Sequence, residues 1–337
     1  MKKTPLALSA FSAVLLFAEP VADFTLASSE ITVDCSSLAD LDEIRRLEEL
    51  RTQIEKNGGS PRKEMQPYTI PDPVRKDIGL SGLDHERTKK FLDFYLSDEG
   101  RKRLSKILMD SAEYRCYVRE QLEKRKLPMF LQYLPIVESE YKTNAVSVSG
   151  ATGMWQFMEN SMEPFLKKNE WYDERLDPWI ETDAALSKLS DNYKMFGDWE
   201  LALAAYNMGA GAIKRIKKQS KADFWMLADL ELLSEQAAMY VPKLIAITEV
   251  VENAEYYGFL DIGIADKTVE TLKTEKFGKV KITGKISLEK IAEKSGCEIE
   301  TLTHLNPALI KGCTPPKETW VLRVPAGTAK DIAASLR

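Results

Sequence analysis

Residues 131–157 read LQYLPIVESEYKTNAVSVSGATGMWQF, and the reading of Glu138 within them organises the whole chain. Glu138 follows Leu134, Pro135, Ile136 and Val137, where an apolar helix face is expected, so its carboxyl is placed where water is scarce. With two histidines in the chain, His85 and His304, both distant in sequence, chemistry at this point rests on carboxylate, hydroxyl and amide groups. A few residues on, Gly150 and Gly153 allow a tight loop, after which Trp155 and Gln156 are expected to open a helix.

Outward from this stretch the chain reads as helical. Segments 84–96, 104–125 and 238–254 alternate apolar and polar residues at spacings of three and four, which predicts an all-α domain over 76–258. Two further places in it carry polar groups on apolar ground. WELALAAYNMGAG, 199–211, predicts an apolar helix ending at Tyr206 and Asn207, with Gly209 and Gly211 as its break; EQAAMYVPK, 235–243, brings Tyr240. Taken singly, these residues read as core, caps and packed rings. Together they supply an acid, amide and hydroxyl donors and aromatic faces, the equipment for a polar, uncharged ring such as a sugar.

The flanks differ in texture. Lys2 and Lys3 ahead of an apolar run from Pro5 to Ala18 predict a secretory signal over 1–22, with Ala18, Ala22 and Ala27 as cleavage candidates; the expected location is periplasm or cell envelope. No cysteine sits just after the apolar run, so a lipid anchor is not expected. Residues 23–75 read as an amphipathic helix (38–57) and a Pro-rich, charged linker. After a second, polar linker at 259–278 comes a strand-helix-helix-strand unit at 279–326 and a tail at 327–337. The net charge of −5 argues against nucleic acid or an anionic membrane as partner. The four cysteines, 35, 116, 297 and 313, fit no metal-ligand spacing, and neither metal nor cofactor is expected. Cys297 and Cys313 flank the second helix of the small unit, and a bridge between them is expected to make up for its short core.

The ordered runs LPMFLQYLPIVESEY, SGATGMWQFM, DERLDPW, WELALAAYNMGAGAI and YVPKLIA resemble the lytic transglycosylases with a goose-lysozyme-like fold, and the C-terminal unit resembles a LysM module. The resemblance implies a mainly α, lysozyme-like catalytic domain followed by a small βααβ domain. It also implies an enzyme that cleaves the MurNAc-GlcNAc bond of peptidoglycan without water, leaving 1,6-anhydromuramoyl ends during cell-wall remodelling, with glycan strands, and cell-wall synthesis or remodelling proteins, as partners. By position, Glu138 is similar to the family's acid/base, and Ser139, Gly153, Met154, Trp155, Gln156, Tyr206, Asn207 and Tyr240 to its substrate-binding elements. Met154 replaces the usual Leu, and Gly284-Lys285-Ile286 stands where Gly-Asp-Thr is common in the LysM sugar loop. Two alternatives stay open: a lysozyme-type hydrolase, with Asp173, Glu174 or Asp177 as second carboxylate, and a non-catalytic peptidoglycan-binding protein.

Overall fold

The structure, a computed structural model, describes residues 73–272 and 277–336. The expected signal, the amphipathic helix 38–57 and nearly all of the linker after it lie outside these residues.

The described chain is mainly helical. Three helices open it: α1 (Glu86–Leu96), α2 (Asp98–Asp110) and α3 (Ala112–Arg125). The run 104–125, which reads as continuous, is divided at Ser111, while Ser97 ends α1 and caps α2 by accepting the amide of Gly100. A 3₁₀ turn, Met129–Tyr133, leads into the short α4 (Leu134–Ser139). After a long irregular stretch come α5 (Pro178–Phe196), α6 (Trp199–Met208), α7 (Ala210–Gln219), α8 (Phe224–Asp229) and α9 (Glu235–Glu252). The most apolar of the longer helices, α6 and α9, are the most enclosed: Leu203, Ala204 and Ala205 on one, and Val241, Leu244, Ile245, Ala246 and Ile247 on the other, are fully buried. Gly209 separates α6 from α7 at φ +90°, whereas Gly211, expected to share in that break, lies inside α7.

The polar stretch expected as a linker at 259–278 instead contains α10 (Leu260–Thr271). Its composition hides a stripe at i, i+3, i+7: Ile262, Ala265 and Val269 are all buried, the first two in the same core as the helices before it. Arg115, itself fully buried, clasps α10 by donating from Nη1 to Asp266 Oδ1 (3.0 Å) and from Nη2 to the Asp266 carbonyl (3.0 Å).

The C-terminal unit has the expected order. Strand β1 (Phe277–Thr283) pairs antiparallel with β2 (Thr319–Pro325), Val280 opposite Leu322, and α11 (Leu288–Ser295) and α12 (Ile299–Leu305) pack beneath. The expected tail adds α13 (Ala329–Ser335), which buries Ile332. The expected bridge is not made: Cys297 and Cys313 are free thiols. The small core is completed in another way, because Tyr172 from the preceding domain is buried within it and Trp171 packs against it. Borrowed apolar surface does what the disulfide was expected to do.

Candidate active site

Glu138 stands in the last turn of α4, whose Leu134 and Ile136 are anchored in the core. The chain turns away sharply afterwards, with Glu140 and Tyr141 both at positive φ (55° and 64°). This leaves the Glu138 carboxyl half-buried at the rim of the helical core. Tyr240 of α9 donates its hydroxyl to Glu138 Oε1. Burial raises the Glu138 pKa from 4.5 to about 7, against the Tyr240 hydrogen bond and the nearby Lys188 and Lys243 charges, which favour the carboxylate. Burial in turn lowers the pKa of both lysines. Lys188 Nζ lies 4.9 Å from the ring centre of Phe157 and 5.0 Å from that of Tyr206.

The segment after Gly150 is a closed turn rather than the start of a helix: Thr152 and Phe157 exchange both backbone hydrogen bonds at 3.0 Å. Gln156 sits at φ +53° and spends its amide protons on the carbonyls of Gly153 (2.8 Å) and Ala145 (3.3 Å). Glycine is required at 153: φ is +92°, and an added Cβ would lie 2.0 Å from the Arg175 carbonyl oxygen and 2.4 Å from Glu181 Oε1.

The turn is tied to Glu138 by side chains that the sequence assigned to substrate. Ser139 donates to the Met154 carbonyl (2.7 Å), and Tyr206 donates to the Trp155 carbonyl (2.9 Å). Met154 and Trp155 are fully buried, and the indole donates to Thr182 Oγ1 (3.0 Å). Trp155 is therefore a pillar under the turn, not an exposed stacking face. Asn207, one residue beyond Tyr206, is half-buried and has no hydrogen-bond partner for its amide among the described residues. The structure thus brings Ser139, Gly153, Met154, Trp155, Tyr206 and Tyr240 into one bonded assembly around Glu138.

Sequence reasoning missed the back wall of this assembly. Glu181, fully buried, accepts the Trp155 amide (3.0 Å); its Oε2 has no hydrogen-bond partner among the described residues, and burial holds its carboxyl well above the usual range. In sequence it looks like an ordinary first-turn helix acid, and the sole hint is the Gly153 that makes room for it. Arg175 donates from Nη1 to the Phe157 carbonyl (3.3 Å) and the Gly150 carbonyl (3.4 Å), holding both ends of the turn.

The three carboxylates considered for a hydrolase are otherwise engaged. Asp173 forms a two-point pair with Arg175 (3.0 and 2.6 Å). Asp177 caps α5 through the Ile180 amide (2.9 Å) and pairs with Arg323, and Glu174 accepts the Lys167 amide (2.7 Å).

A pH profile checks the assignment of Glu138 as a proton donor. Turnover should fall as pH rises through about 7, where Glu138 gives up its proton. Tyr240→Phe removes a hydrogen bond that favours the carboxylate, so it should move this limb to higher pH. A limb that stays in place in the variant would show that another group is titrating.

Among known proteins, residues 115–224 match the family described as Transglycosylase SLT domain, and residues 276–337 match Lytic transglycosylase MltD, LysM-like domain. The chain is 30% identical over 252 residues to Membrane-bound lytic murein transglycosylase D of Escherichia coli strain K12, an alignment covering 73% of this chain and 52% of that protein. The counterpart in Escherichia coli O6:H1 aligns equally. A Putative tributyltin chloride resistance protein of Alteromonas sp. (strain M-1) is 38% identical over 104 residues, 30% of this chain and 50% of the other. The chain spans about half the length of the curated relatives it matches.

Proposed function

We propose that this chain, which carries a transglycosylase SLT domain followed by a LysM-like domain, is a peptidoglycan lytic transglycosylase acting in the cell envelope, with Glu138 as its acid/base. The observation that carries the reading is a half-buried carboxyl held by Tyr240, its pKa raised by burial to about 7, while Asp173 and Asp177 are bound into ion pairs with Arg175 and Arg323 and Glu174 accepts a backbone amide. Near neutral pH such a group can both give and take a proton.

Glu138 protonates the glycosidic oxygen as the bond from the muramoyl anomeric carbon breaks. The carboxylate then takes the proton of the muramoyl 6-hydroxyl as its oxygen bonds to the same carbon. One C–O bond breaks, one forms, the proton lost by the hydroxyl replaces the one given to the leaving sugar, and no water enters. The 6-hydroxyl stands in for the second carboxylate of ordinary glycosidases. Tyr240 steadies the carboxylate, Lys188 and Lys243 keep its charged form within reach, and the Asn207 amide is available to the sugar. The turn from Gly153 to Gln156 shapes the cleft through its backbone, with Ser139 and Tyr206 as its ties.

Mass analysis of soluble fragments from purified peptidoglycan tests this reading. Anhydromuramoyl ends are expected; muramoyl ends heavier by one water would establish hydrolysis instead, and absence of cleavage would favour a binding protein.

A further inference from the structure

A LysM-like module reads as a sugar-binding tether. Here its surface is turned to a different use, because the loop expected to meet sugar meets the chain itself. Lys285 Nζ lies 4.9 Å over the Trp171 ring, Tyr172 fills the module's core and donates to Glu318 Oε2 (3.2 Å), and the Asp173 amide donates to the Ala308 carbonyl (2.9 Å).

The strongest tie lies a few residues on. Arg323 of β2 donates to Asp177 from both terminal guanidinium nitrogens, Nη1 to Oδ2 and Nη2 to Oδ1 (3.0 Å), and covers the rings of Trp179 and Phe277 at 5.0 and 5.2 Å. The two side chains are 11% and 1% exposed, so this is an ion pair largely out of water rather than a surface contact. The segment it holds, 172–177, is the one that carries Arg175, whose guanidinium fixes the ends of the 150–157 turn and whose carbonyl abuts Gly153.

We propose that the C-terminal module is an intramolecular brace for the cleft, with Arg323 and Asp177 as positioning residues: through Asp173 and Arg175 they hold the Gly150–Phe157 turn against Glu138. The proposal rests on the reading of Glu138 as acid/base. Neither positioning residue touches the reacting atoms; both act by keeping the turn, and through Ser139 the Glu138 helix, in register. The module's folded state thereby becomes part of the active site.

The test uses the full-length chain with Arg323→Ala, read by kcat and KM on short soluble glycan and by hydrogen exchange of peptides spanning 150–157 and 235–252. The kcat is expected to fall about tenfold, the scale of a slight misplacement of catalytic groups, with KM within about twofold. Exchange should rise in 150–157 and stay slow in 235–252, and Arg323→Lys should recover part of kcat. Unchanged kcat with unchanged exchange in the turn overturns the brace, as does exchange that rises equally in both segments. Should Arg323→Ala fail to fold, Asp177→Asn, which keeps the cap on Ile180, is read by the same measures. Failure of the transglycosylase reading would appear separately, as absence of anhydro ends from the unmutated chain, with the exchange result unaffected.

Discussion

Glu138→Gln is expected to lower turnover by roughly 10² to 10⁴ while glycan binding persists. Glutamine keeps the size and polarity of the side chain and can still accept from Tyr240, but it neither gives nor takes the proton. Asp173→Asn and Asp177→Asn should not approach that loss. Each weakens a structural pair, with Arg175 or with Arg323, and leaves the bond-breaking proton in place. Stability separates lost chemistry from lost fold. Since the Glu138 pKa is raised from 4.5 to about 7, the folded chain holds more protons than the unfolded chain between those values, and stability falls as pH rises through the window. The variant lacks that decline, so its Tm should exceed that of the unmutated chain at pH 8 and match it below pH 4. Substantial residual cleavage by Glu138→Gln would overturn the assignment.

Trp155→Ala is expected to destabilise the chain by about 3–5 kcal/mol, the range for removing a large buried aromatic side chain. The side chain is fully enclosed, its indole bonded to Thr182, and its own backbone carries the ties to Glu181 and Tyr206. The cavity therefore opens directly beneath the turn, and activity should fall with stability. Trp155→Phe should retain much of the packing, since Thr182 keeps its bond to the Pro178 carbonyl (2.6 Å). Calorimetry checks both; a loss of under about 1 kcal/mol for the alanine variant would show that the turn does not rest on this ring.

Much of the fold was legible because its strongest signals are local. The apolar run before Glu138 and the apolar helices 199–208 and 235–252 are patterns within twenty residues or so, and the structure places them where those patterns predict, whereas the helix expected at Trp155 and Gln156 is part of a closed turn. What escaped depends on partners far away in sequence. Trp155 reads equally well as a stacking face or a core ring, and the choice is made by Thr182 on another helix. Glu181 is an ordinary helix-start acid until the turn folds over it. Helix 260–271 looked like a linker because its three buried residues are few among polar ones, and Arg115, distant in the chain, completes the contact. The small unit looked short of core because the ring that completes it, Tyr172, belongs to the preceding domain.

The Asp177–Arg323 pair also governs how the two parts can be inherited. A cassette that hangs from a flexible tether can be exchanged between genes with little penalty, whereas here a foreign module lacking a guanidinium at the right place strands a carboxylate that is almost wholly enclosed. An ion left alone in that way costs about 3–5 kcal/mol, a large share of a domain's margin against unfolding. Substitutions at 177 and 323 are thus constrained to arise together, and recombination in the stretch between the two domains is a poor route to new variants.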